Sequence, residues 1–284
     1  QERYFAMDLM RRGAAGELSA LFGAAALDAD RRVRMHRFRH RARTALAVGF
    51  LSSMLGSPVE KGVKMLPAAW QRGVHKATEA ALMKALEVAV TSLGERPRAA
   101  SQDRFHRVAA AASGAAGGAF GLAALSWELP LSTTLMLRSI ADIAASEGEN
   151  PRHLETKLAC LTVFALGSTK DRRDNATESG YFAARAALAS AVTEASAHLA
   201  KKGLSKSGAP ALVRLVAAIG ARFGIVVSVK AAVQAIPIIG AAGGAMVNTV
   251  FIGHYQDMAR GHFIVRRLEK IHGAEPVRAA YEKA

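Results

Sequence analysis

Glu128, His254, Asp257 and His262 are the side chains whose types could move a proton or grip a metal ion. Glu128 stands two residues before Pro130, where a helix is expected to open. The positive end of that helix dipole would favour a carboxylate there, and a buried catalytic acid is the sharper alternative. His254 and Asp257 are three apart and share a helical face, while His262 and Arg266 are four apart. The two histidines are separated by eight positions, too far along one helix to hold one metal easily. With no His-Glu-x-x-His pattern and no cysteine cluster, neither a metal nor a cofactor is expected. A hydrolase would have to be assembled from Glu128, His254 and Asp257 across the fold. The alternative is a satisfied interface of mixed charges.

A second polar pattern runs through Thr134, Arg138 and Asp142, at intervals of four on an otherwise apolar helix. It reads as a buried polar network that fixes helix register, because unpaired charges in a core are costly. The functional alternative is an anion site for a lipid headgroup. Tyr181 and Arg185, one turn apart, read as a stacking pair. The lone cysteine, Cys160, lies in the apolar run Leu158–Leu166, which suits core packing in a reducing compartment. The sequence contains no Gly-Lys-Ser/Thr phosphate loop, no Gly-x-Ser-x-Gly elbow and no dinucleotide fingerprint.

The strongest charge feature is basic. Arg31, Arg32, Arg34, Arg37, Arg39, Arg41 and Arg43 fall within thirteen residues, together with His36 and His40. Such a run repels itself on a helix unless something anionic screens it. Nucleic-acid phosphate and an anionic membrane leaflet both qualify, and a solvated arm is the plain alternative. The uncharged segment that follows, Thr44–Leu55, favours the leaflet, since a polybasic and an apolar element together meet the two-signal need for stable attachment. The whole chain carries a formal charge of +15, which agrees with an anionic partner.

The elements that must position these residues are helical. Hydrophobic residues make up 51% of the 284, yet aromatics only 6%, so Ala, Leu, Val, Ile and Gly dominate and suit close helix packing. Apolar spacing, caps and breakers predict an all-α chain of about nine helices, over 3–21, 29–55, 58–93, 101–126, 130–148, 151–167, 177–201, 209–235 and 238–272. Ser57-Pro58-Val59-Glu60 is a capping box with proline at the first helical position, and Asn150-Pro151 repeats the device. Residues 1–56 read as a basic and apolar arm, and 57–284 as one compact helical domain.

Two stretches have the length of a membrane span without charge, Val108–Trp127 and Ala231–Gly253. Their Ala, Gly and polar content favours buried helices instead. Both hold small residues four apart: Gly114 and Gly118, Gly117 and Gly121, Gly240 and Gly244. These strips are expected to face one another or an acyl chain.

Several blocks together resemble the EcsC family of bacterial proteins. They are Trp127-Glu128-Leu129-Pro130-Leu131-Ser132-Thr133-Thr134 running into Arg138–Ala144, then Cys160–Gly167 and Glu178–Arg185. Ile236-Pro237-Ile238-Ile239-Gly240 through Asn248 follows, and His262-Phe263 with Arg266-Arg267-Leu268-Glu269 completes the order over about 58–273. The resemblance implies association with membrane-linked processes and brings no catalytic motif. The expected function is that of a lipid-contacting accessory or adaptor, peripheral on the cytoplasmic side of the bacterial inner membrane. Anionic lipid and a membrane protein are its expected partners; nucleic acid is disfavoured. The alternatives are a hydrolase around Glu128, His254 and Asp257, and a structural partner of a membrane complex.

Overall fold

The computed structural model describes residues 68–93, 103–120, 124–166, 180–204, 209–234 and 240–283. The seven arginines of the arm, Thr44–Leu55, the capping box at Ser57, Gly121 and the expected helices 3–21 and 29–55 lie outside these residues. The described residues form helices and no strand: α1 Ala68–Ser92, α2 Asp103–Phe120, α3 Leu125–Ser146, α4 Leu154–Leu166, α5 Gly180–Lys202, α6 Pro210–Gln234, α7 Gly240–His272 and α8 Ala274–Lys283. The chain is all-α, as its periodicity predicts.

Two helix starts and one added helix differ from the sequence reading. Pro130 does not open a helix but sits inside α3, which begins at Leu125. A proline there removes only the bond to the Ser126 carbonyl, one turn from the helix start. Extending the helix backwards buries Leu125 and Leu129, and that apolar burial offsets the loss. Asn150 makes a local turn rather than a cap: its Oδ1 accepts the Arg152 amide at 3.0 Å, and α4 starts only at Leu154. Helix α8 was not expected at all. Its signal was Val277 and Tyr281, four apart and both buried.

Helix α4 is the centre of the bundle. Every residue from Leu158 to Leu166 is buried, so its apolar character has no polar side. Helices α1, α3, α5, α6 and α7 surround it. Phe164 of α4 meets Phe223 of α6 and Tyr255 of α7 with ring centroids 5.0 and 5.2 Å away. Gly203 (φ 60°) ends α5 and Gly273 (φ 87°) separates α7 from α8, in the left-handed conformation that glycine adopts without cost.

Among the described helices, α2 and α7 share the most extensive contact. A Cβ placed on Gly244 would overlap the Gly114 carbonyl oxygen and come within 2.8 Å of the Gly118 Cα. A Cβ on Gly114 would in turn overlap the Gly244 carbonyl. The two glycine strips therefore face one another, backbone on backbone. Gly240 lies one turn earlier, at the start of α7.

Candidate functional site

This close crossing carries a polar seam between α2, α3 and α7. Glu128, at the N-terminal turn of α3, has no exposed surface, and Lys230 of α6 is 1% exposed. The Lys230 ammonium donates to Glu128 Oε1 at 2.9 Å and lies 2.7 Å from Oε2. Asn248 of α7 donates to the same Oε1 at 2.7 Å and to the Ala110 carbonyl at 3.0 Å. Ser113 adds a long contact to Oε1 at 3.4 Å, and Lys230 also reaches Ser132 Oγ at 3.3 Å. Gly117 makes room for the Glu128 side chain, because a Cβ there would press on Glu128 Cγ. Burial pulls the Lys230 pKa down, and the charge and hydrogen bond of Glu128 oppose that shift without cancelling it.

The seam continues away from Glu128. Arg107 Nε donates to Gln256 Oε1 at 2.7 Å, and Gln256 Nε2 donates to Ser139 Oγ at 2.8 Å. At its far end, His106 Nε2 and Asp142 Oδ2 are 2.9 Å apart. These bonds join α2, α3 and α7 in one register, since a slip of any helix would leave buried polar groups unpaired.

A second polar region lies at the C-terminal half of α7. Arg266 Nε pairs with Glu149 at 3.1 Å, and its Nη2 with Glu155 at 2.6 Å. Lys270 reaches Glu149 at 2.8 Å and Arg267 reaches Glu147 at 2.8 Å. Glu149 also accepts the Thr156 hydroxyl at 3.1 Å. Burial alone would raise the Glu149 pKa, but Lys270 and Arg266 outweigh it and hold the carboxyl below its ordinary value. Basic side chains of α7 thus clamp the α3–α4 connection. Arg185 of α5 grips Glu269 through two bonds, of 2.7 and 2.9 Å, with its guanidinium 5.3 Å from the centre of the Tyr181 ring.

Tyr181 Oη stands 2.8 Å from His262 Nδ1. Burial first, then the nearby charges of Arg185 and Arg266, hold His262 well below the ordinary imidazole value. The ring is therefore neutral when folded. A group of this kind makes stability depend on pH. As pH falls below about 6.5, the unfolded chain takes up a proton that folded His262 refuses, so stability falls. Thermal melts should show the melting temperature dropping between about pH 6.5 and 5, with a shallower slope in His262→Asn. Equal slopes for parent and variant would show that other groups govern the drop.

The sequence-derived candidates do not converge. Thr134 is half-buried and Asp142 turns to His106. Arg138 is exposed and donates to Ser92 Oγ of α1 at 3.0 Å. The expectation of one buried stripe is thus corrected for Arg138, because four-residue spacing fixes a line on a helix but not which way the line faces. His254 is half-buried with its ring 5.1 Å from that of Tyr255, and Asp257 is also half-buried. His262 and Arg266 serve the second region, away from Glu128. Glu128 itself is held by Lys230, Asn248 and Ser113, not by a histidine. Burial pushes the Cys160 thiol up, away from thiolate character.

Sequence reasoning passed over Lys230, Asn248 and His106. Lys230 did leave a signal: it is the only charged residue between Arg222 and Asp257. A lone cation in so apolar a run needs a buried anion. Among the described residues, no group of three or more His, Cys, Asp or Glu side chains is placed to hold a metal ion. One described helix stretch, Pro210–Ser228 of α6, is long and apolar enough to cross a membrane by length and composition.

The fold and its seam define a class: an all-α bundle whose helices are registered by buried polar pairs and a glycine crossing. The chain belongs to the EcsC protein family, whose match extends over residues 33–268. That match starts inside the basic run, upstream of the blocks that carry the resemblance in sequence. No curated protein and no solved structure matches the chain.

Proposed function

We propose that the protein is a peripheral, lipid-contacting accessory of a membrane-linked process, held against the anionic cytoplasmic leaflet of the bacterial inner membrane. One observation carries this reading. Helix α2, charge-free from Val108 to Phe120, is not buried all round: Phe105 is 63% and Val108 70% exposed, and Ala112, Ala116 and Ala119 follow on the same side. An apolar face left in water needs an apolar partner. The net charge of +15 makes an anionic bilayer the complementary one. The arginines from Arg31 to Arg43 supply the electrostatic half of the attachment and the exposed apolar face the other half.

The test is co-sedimentation with vesicles of phosphatidylglycerol and phosphatidylcholine. Substituting glutamine for Arg31, Arg32, Arg34, Arg37, Arg39, Arg41 and Arg43 together should weaken binding by about 100-fold or more, given about 1 kcal/mol per basic residue near the surface. Parent and variant binding equally would remove the arm from the account.

A further inference from the structure

The geometry points to a defined membrane-docking face made by α2 and α3 together, which seats on an anionic bilayer with Trp127 and Leu131 at one end and Phe105 and Val108 at the other. This rests on the peripheral-membrane reading and names the surface that performs it. Helix α2 meets α3 through His106, Ser113 and Gly117, and it meets α7 through Arg107 and Gly114. At about 100° per residue, Phe105, Val108, Ala112, Ala116 and Ala119 fall on the remaining side, turned away from α7.

On α3, Glu128 and Asp142 face α2, and Ser139 faces α7. Trp127, Leu131 and Arg138 follow round the helix from the α2 side, again away from α7. The two outward faces are therefore neighbours. Because Gly117 meets Glu128 while His106 meets Asp142, the helices are antiparallel. Trp127 and Leu131, 45% and 46% exposed, sit beside the Ala116–Ala119 end, and Arg138 sits beside the Phe105 end.

The occupant follows from chemistry. Among the described exposed residues of α2 and α3, the only charges are Arg104 and Arg138, both positive and both at the Phe105 end. Indole rings favour the boundary between headgroup and acyl chain, and guanidinium groups bind phosphate. A strip of alanines bounded by aromatic and aliphatic side chains lets α2 lie along the interface plane rather than cross it. At 18 residues it is also shorter than most spans.

The test uses the full chain with Trp70→Phe, so that Trp127 is the only indole. On anionic vesicles its emission should shift to the blue and be quenched by lipids brominated high on the acyl chain. Val108→Glu and Leu131→Glu should each weaken binding by about tenfold or more, with helicity and melting unchanged because both positions are exposed. Val213→Glu and Ile225→Glu, on the exposed side of α6, should change binding by less than about twofold.

If the chain binds vesicles while Trp127 stays unquenched and the α2–α3 variants bind like the parent, this face is wrong and the membrane reading stands. Loss of binding in the α6 variants alone would move the docking surface there. If no vesicle binds the parent chain, the membrane reading itself is overturned and the face with it. A Trp127 already shielded from acrylamide without vesicles would assign the face to another protein surface: a second copy if the shielding depends on concentration, this chain if it does not.

Discussion

Glu128→Ala is expected to destabilise the protein by about 3–5 kcal/mol, the range for removing one partner of a buried ion pair. The reason lies in what remains behind. Lys230 is 1% exposed, and without Glu128 its ammonium has Ser132 Oγ at 3.3 Å as its remaining described partner. Asn248 loses its bond to Oε1 as well. Lys230 would respond by giving up its proton, since burial already draws its pKa downward. Lys230→Met should cost a similar amount, because a carboxylate is then left with neutral donors only. The double variant Glu128→Leu, Lys230→Met should cost less than either single change, since two well-packed apolar groups avoid desolvation of both charges. Midpoints of urea denaturation for the parent, Glu128→Leu, Lys230→Met and the double variant decide this. Additive losses in the double variant would show that the two side chains act independently and that the seam is not a unit.

The second large effect is steric. Gly244→Ala is expected to cost roughly 3 kcal/mol, the upper part of the range for overpacking. The new methyl group meets backbone of α2 on two residues, Gly114 and Gly118, and backbone cannot rotate away as a side chain can. The helices must separate, and the Asn248 bonds to Glu128 and to the Ala110 carbonyl would lengthen with them. Gly253 gives a control on the same helix, because a Cβ there meets nothing within 4 Å. Gly253→Ala should be stabilising by about 0.5–1 kcal/mol, as expected when glycine is replaced within a helix. Thermal melting of the two variants separates the cases. A Gly244→Ala variant that melts with the parent would mean that the glycine crossing contributes no close contact.

These two expectations rest on features that were unequally legible in the sequence. The glycine strips could be read because i, i+4 spacing is local: Gly114 with Gly118 and Gly240 with Gly244 each define a flat face on their own helix. The partner of Glu128 could not be read in the same way. Lys230 lies 102 residues from it, and Asn248 lies 120 residues away, so no local rule links them. The pairing of Tyr181 with His262, 81 residues apart, escaped for the same reason.

Orientation was the other gap. Alanine and glycine are nearly indifferent to burial, so the charge-free run from Val108 read as a buried helix although one side of α2 is exposed. Arg138 lay on a legible stripe, yet the stripe runs along the rim of the bundle. Helix α4 shows the opposite case, where an uninterrupted apolar run from Leu158 left no side for solvent and was legible as core.

A bundle that works on an anionic membrane surface must co-sediment with vesicles of the matching charge. The parent chain is expected to bind phosphatidylglycerol-containing vesicles at low salt, to bind pure phosphatidylcholine weakly, and to be partly released in high salt as the charges are screened. The residual salt-resistant fraction measures the apolar face of α2 and α3. No binding to either vesicle at low salt would overturn the membrane role, and the exposed Phe105, Val108, Trp127 and Leu131 would then belong to a protein interface.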